Sequence, residues 1–201
     1  MNIAIIGSGS WATALAKIVM HNTSEINWHI RKQETIDEFV EIRRNPNHLE
    51  WAYFDVSRIH FSADINAVIE QSDLLVLAIP SPYLKQSLND ITVDMSQKMV
   101  ISAVKGMIPD ENLLVTEYLH KYFNVPNENL GVIAGPCHAE EIALERLSYL
   151  TVGCENMDKA REWSKLFDTP YVRTTPSNDI EGLEYASVMK NIYAIAAGIC
   201  K

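Results

Sequence analysis

Apolar runs short enough to be strands alternate with stretches of helical spacing from one end of the chain to the other. Ile3-Ala4-Ile5-Ile6 is a continuous apolar run, as a strand buried on both faces requires, and residues 13–19 follow with helical spacing. Ile26-Asn27-Trp28-His29-Ile30 reads as a second strand and Gln33–Ile42 as a short helix. Residues 43–56 are irregular, with a turn signal at Asn45-Pro46-Asn47. A short strand at 59–61 and a helical turn at 64–70 precede the clearest buried strand, residues 73–79, which Pro80-Ser81-Pro82 stops. The pattern continues with a helix at 83–88, a strand at 98–103, a helix at 112–122 and a strand at 129–134. It runs on through a helix at 138–145, a strand at 150–153, a helix at 158–167 and a strand at 171–174. Such repeated strand–helix units predict a mostly parallel sheet covered on both faces.

The first strand meets the first helix at Gly7-Ser8-Gly9-Ser10-Trp11-Ala12. Between a strand and a helix, this spacing points to dinucleotide binding. Gly7 allows the tight turn, Gly9 lets the backbone approach a pyrophosphate, and Ala12 lets the helix lie against the strand. The phosphates would then sit over the free N–H groups of a helix N-terminus. A purely structural turn is the alternative. The expected fold class is α/β, a Rossmann-type doubly wound sheet.

Composition narrows the function classes. Apolar residues at 47% with charged residues at 21% are ordinary for a globular protein with a sizeable core. Seventeen basic against 26 acidic residues give a formal charge of −9, which argues against nucleic-acid binding but leaves room for a local basic pocket. Three cysteines, Cys137, Cys154 and Cys200, have no metal-ligand spacing and suit a reducing compartment. The N-terminus lacks a basic region and cleavage site, and no segment reaches membrane-spanning length, so a cytoplasmic protein without metal or membrane insertion is expected.

In a doubly wound sheet, ligands bind beyond the carboxyl ends of the strands. The glycine turn, Pro80-Ser81-Pro82, Lys105-Gly106 and Gly135-Pro136-Cys137-His138-Ala139-Glu140-Glu141 all fall at such ends and should converge on one crevice. Lys105 is either a site cation or a solvated lysine. Arg31 follows the second strand, where NAD binders carry an acid for the ribose hydroxyl and NADP binders an arginine for the 2′-phosphate. His29-Ile30-Arg31-Lys32 contains no acid, which favours NADP over NAD, a surface arginine being the alternative. Lys190 lies within an apolar helix, residues 185–198, that looks too apolar to be a solvated element. It either snorkels or serves a function. Burial and a neighbouring cation both lower a lysine pKa toward values useful for proton transfer.

The glycine turn, Arg43-Arg44-Asn45-Pro46-Asn47-His48-Leu49, Ser102-Ala103-Val104-Lys105-Gly106, Ala134-Gly135-Pro136-Cys137-His138-Ala139-Glu140-Glu141 and Lys190-Asn191-Ile192-Tyr193-Ala194-Ile195 closely resemble the bacterial NAD(P)-dependent glycerol-3-phosphate dehydrogenases, in family order along the whole chain. The resemblance implies a dinucleotide-binding domain over residues 1–178, with residues 179–201 as the first helix of a truncated helical substrate domain. No Gly or Pro stop closes that helix before Cys200-Lys201. By this likeness Ser10, Trp11, Arg31, Lys105 and Ala139 join Gly7, Gly9 and Ala12 in holding NADP or NAD. Lys105, Gly135, Cys137 and Lys190 would touch a phosphorylated triose, with Lys190 as acid/base and Lys105 as its catalytic companion. Cys137 departs from the serine or threonine usual there, and a thiol is a poor hydrogen-bond donor. The family chemistry needs no covalent intermediate at Cys137. The implied reaction is hydride transfer between dihydroxyacetone phosphate and sn-glycerol 3-phosphate. A truncated chain would bind cofactor but turn over poorly, and the longer protein could form a homodimer. The rivals are a β-hydroxy acid dehydrogenase of related architecture and a non-catalytic NADP-binding module.

Overall fold

The apolar runs become β1 (Ile3–Ile6), β2 (Ile26–His29), β3 (Ile59–Ser62), β4 (Leu74–Leu77), β5 (Met99–Ser102), β6 (Leu130–Ala134), β7 (Ser148–Cys154) and β8 (Val172–Ser177). They come from a computed structural model that describes residues 1–200. Among the described residues these strands form one sheet in the order β3-β2-β1-β4-β5-β6-β7-β8. Neighbours are parallel except for β6 and β7, which run antiparallel. The sheet is doubly wound, with strand order reversing between β1 and β4, where a crevice opens beyond the strand ends.

Alternation along the central strands divides the core between the two faces. Ile3, Ile5, Leu74, Val76 and Ile101 point into one layer with helix α1 (Ser10–Asn22), helix α2 (Gln33–Ile42) and helix α7 (Met157–Phe167). Ala4, Ile6, Leu75, Leu77 and Val100 point into the other, with helix α3 (Ile65–Glu70), helix α4 (Ser81–Asn89) and helix α5 (Val115–Phe123). A strand with both faces buried has no polar side to expose, which is why these runs are continuously apolar.

Local chemistry sets several boundaries. The expected helix at 112–122 begins later, at Val115. Asp110 and Asn112 adopt positive φ, Ile108 bridges to Leu113, and the Glu117 carboxylate accepts from the Leu114 amide at 2.8 Å to cap the helix. The helix expected over 138–145 shortens to α6 (Ala139–Ala143), closed by the turn at Glu145 with φ 58°. β8 runs through Pro176, tolerated because it is an edge strand. The last helix, α8 (Ile180–Ile199), is capped by the Asp179 carboxylate, which accepts from the Gly182 amide at 2.9 Å. Its first half packs on β6 and β7, whereas Ile192, Tyr193, Ile195 and Ile199 are exposed. The helix extends past the sheet face, so its second half keeps an apolar surface open.

Candidate functional site

The carboxyl ends of β1, β2, β4, β5 and β6 border a trough made of three adjoining chambers. The first, about 510 Å³, is lined by Gly7, Gly9, His29, Arg31, His48 and Tyr83 among others. The second, about 290 Å³, shares Gly9, Ile79 and Pro80 with it and adds Ser10, Trp11 and Lys105. The third, about 320 Å³, shares Lys105 and adds Gly135, Thr151, Ser187 and Lys190. The four strand ends picked out in the sequence thus meet in one crevice. A separate cavity of about 370 Å³ lies at the opposite, amino ends of β1 and β2, beside the exposed Glu25–His60 pair.

The glycine turn is built to hold a shape. Gly7 has φ +128°, and a Cβ there would lie 2.5 Å from the Ala78 carbonyl oxygen, so backbone and packing both require glycine. The Trp28 indole donates to the Gly7 carbonyl at 2.7 Å. The Asn45 amide donates to the Ser8 carbonyl at 2.9 Å and to the Thr13 hydroxyl at 2.8 Å, while its own oxygen accepts from the Asn47 amide at 3.0 Å. Trp28 and Asn45 were not marked as site residues by the sequence. The signal for Asn45 was the turn it begins, but its target lies 37 residues earlier.

Gly9 is different. It caps α1 in extended backbone (φ −78°, ψ 179°) that any residue adopts, and a Cβ there would meet nothing within 4 Å. Packing gives no reason for glycine, but a ligand occupying that space does. The α1 N-terminus has no side-chain cap, which leaves first-turn N–H groups facing the turn. Ala12 is fully buried where the helix approaches the strand. Ser10 pairs with the His48 Nδ1 at 3.2 Å, and burial pushes the pKa of His29 down. Trp11 Nε1 is buried without a partner among the described residues, an orphaned donor beside the second chamber. The open space at Gly9 and the orphaned indole N–H both fit a dinucleotide.

Lys105 joins the second and third chambers. Its ammonium lies 4.6 Å from the Trp11 ring centroid and donates to the Cys137 carbonyl at 3.4 Å. Although the residue as a whole is exposed, desolvation of the ammonium, with the Lys190 cation as the second cause, lowers its pKa. Lys190, half-buried on α8, lines the third chamber with it. Arg31 is exposed at the far end of the first chamber.

Residues 2–160 match the family model described as NAD-dependent glycerol-3-phosphate dehydrogenase N-terminus. The chain belongs to that family. The glycerol-3-phosphate dehydrogenase [NAD(P)+] of Oceanobacillus iheyensis is 32% identical over 204 residues, covering 98% of this chain and 57% of that protein. The glycerol-3-phosphate dehydrogenase structure from Plasmodium falciparum superposes with a TM-score of 0.89 at 29% identity, over all of this chain and 58% of that one. That from Coxiella burnetii shares the fold at a TM-score of 0.85 and 24% identity, over 98% of this chain and 60% of that one. The chain therefore spans less than two thirds of the relatives it matches.

Two residues expected at the site approach it differently from the expectation. Cys137 is buried, and its thiol donates to the Tyr149 carbonyl at 2.9 Å, so only its carbonyl faces Lys105. The side chain packs inward against β7, which leaves the backbone of Cys137 as its available contact with a ligand in the trough. Ala139 opens α6 with its methyl group buried in the core, leaving its backbone as the available contact. Burial also pushes the thiols of Cys137 and Cys154 up, away from the reactive thiolate. Iodoacetamide should therefore modify exposed Cys200 in the native protein and spare Cys137 and Cys154 until unfolding, as peptide mass spectrometry would show. Rapid native labelling of Cys137 would contradict this placement.

Proposed function

We propose that the chain binds NADP, or NAD, along the trough and carries the reacting centre of an oxidoreductase that interconverts dihydroxyacetone phosphate and sn-glycerol 3-phosphate. The observation that carries the reading is Lys105 and Lys190 lining one chamber that adjoins the chamber of the glycine turn. Gly7, Gly9, Ser10 and Ala12 would seat the pyrophosphate end, Arg31 the adenosine end, and Trp11, Lys105 and Ala139 the nicotinamide end.

When bound, the nicotinamide supplies or accepts the hydride. In the reduction direction Lys190 gives a proton to the substrate oxygen as negative charge develops on the carbinol carbon's oxygen. Lys105, on the same chamber, would stabilise that charge with its ammonium. Gly135 and the Cys137 carbonyl would border the substrate. Among the described residues no group of His, Cys, Asp and Glu forms a metal cluster, and no helix is long and apolar enough to cross a membrane. Residues 1–178 would form the dinucleotide-binding unit, and the helix from 179 onward would present Lys190 to the substrate. A cytoplasmic setting fits the three free cysteines. A homodimer would be read from sedimentation. NADPH oxidation by an active form of the enzyme, assayed in parallel with dihydroxyacetone phosphate and with a 3-oxo acid, tests the substrate. Preference for the 3-oxo acid would overturn the assignment.

The cofactor preference has its own test. A single arginine–phosphate contact is worth roughly 1.5–3 kcal/mol, about one to two orders of magnitude in affinity. Arg31→Ala should therefore erode the preference for NADPH over NADH by that factor while NADH binding stays nearly constant, measured by calorimetry. An unchanged NADPH affinity would remove Arg31 from the 2′-phosphate site.

A further inference from the structure

Among the described residues Glu184 is the one buried carboxylate, 4% exposed, and the proposed chemistry gives it no role. It lies on α8 but its oxygens face another helix. Its carboxylate accepts from the Val115 amide at 3.1 Å, from the Thr116 amide at 3.3 Å, and from the Thr116 hydroxyl. Those are first-turn N–H groups of α5, so α8 supplies a cap that α5 does not complete for itself. Burial and the nearby Glu117 push the Glu184 pKa up, while the three bonds from Thr116 and Val115 oppose that rise.

The site face of α8 is adjacent. Leu183, Ala186, Ser187 and Lys190 line the third chamber and stand at helical positions i, i+3, i+4 and i+7, a single face. Glu184 follows Leu183 by one residue, about 100° around the helix, and precedes Lys190 by about 9 Å along the axis. An anchor at that position fixes how far the helix can rotate about its own axis. Rotation would swing the long Lys190 side chain away from the chamber it shares with Lys105.

We propose that Glu184 is a positioning residue, holding α8 against the α5 N-terminus so that the Lys190 ammonium stays beside Lys105. The catalytic consequence rests on the function proposed above, but the juxtaposition itself is measurable without turnover. Apart from burial, the groups that bear on Lys105 are Lys190, Cys137 and Glu140, and Glu184 is not among them. Loss of the Glu184 negative charge would by itself lower the Lys105 midpoint, so a rise on substituting Glu184 is transmitted through the helix.

The test is the titration midpoint of the Lys105 amine, read from the pH dependence of its 13Cε resonance in lysine-labelled protein. Lys190→Met calibrates the experiment, since removing the neighbouring cation raises the Lys105 midpoint. Glu184→Leu should raise it in the same direction, because α8 is freed and the two cations separate. Glu184→Gln should stay near wild type, because one side-chain oxygen still accepts from the α5 amides and the new amide can donate to the Thr116 hydroxyl. Thr116→Val, which removes one of the three bonds, should fall between. Dichroism and tryptophan fluorescence report folding, and NADPH affinity should be unchanged because the glycine turn lies on another element. A wild-type Lys105 midpoint in folded Glu184→Leu protein would overturn the proposal and leave Glu184 as structural glue. If that variant does not fold, Thr116→Val decides by the same criterion. Loss of turnover with dihydroxyacetone phosphate in the wild-type enzyme would refute the functional reading but leave this midpoint result intact.

Discussion

Replacing Lys190 with methionine should lower kcat by about 10²–10⁴-fold while leaving NADPH affinity almost unchanged. Methionine keeps the unbranched apolar stem that packs along α8 and removes the proton donor. The side chain lines the third chamber, whereas the turn that would hold the pyrophosphate lies at the junction of the first and second. Binding and chemistry should therefore separate. Lys105→Met should behave differently, because that ammonium borders both the second and third chambers and stacks over Trp11. It should raise KM for the triose as well as reduce kcat. Steady-state kinetics on an active form of the enzyme, with NADPH affinity measured separately, distinguish the two variants. Near-normal kcat in Lys190→Met would make Lys190 a lysine that snorkels from an apolar helix.

Gly9→Val should nearly abolish dinucleotide binding without unfolding the protein. The backbone at Gly9 is one that valine adopts, and its Cβ would meet no protein atom within 4 Å. The branched side chain would instead fill the space where the pyrophosphate meets the α1 N-terminus. Each hydrogen bond to a charged group contributes about 1.5–3 kcal/mol, so displacement from two amides weakens binding by on the order of 10²–10⁴. Gly7→Val should differ in kind, since its φ of +128° and the Ala78 carbonyl at 2.5 Å make the loss one of folding.

Much of this arrangement was legible in the sequence because local signals and tertiary packing agree. β1 and α2 fall on the expected residues, and the apolar runs do become a doubly wound sheet. Gly7, Gly9, Arg31, Lys105 and Gly135 line adjoining chambers, since strand ends of a parallel sheet share one edge, and α8 brings Lys190 to the last of them. What the sequence hid is direction and distance. Cys137 stands in the expected segment, but whether its thiol faces the trough or β7 depends on the turn after β6. The hydrogen bonds of Asn45 and Trp28 to the glycine turn join segments separated by 37 and 21 residues, beyond the reach of any periodicity. The sequence does not single out Glu184, because nothing local says that α5 lies against it. The late start of α5 was also hidden, since the positive-φ turn at Asp110 and Asn112 competes with a helical pattern that begins before it.

In the proposed function the open space at Gly9 is the seat of a nicotinamide dinucleotide. Calorimetric titration of NADPH into the wild-type chain and into Gly9→Val, with dichroism confirming that both are folded, tests it most directly. One molecule bound per wild-type chain, with affinity reduced at least a hundredfold in the variant, is the predicted result. Equal NADPH affinity in the two proteins, both folded, would contradict it.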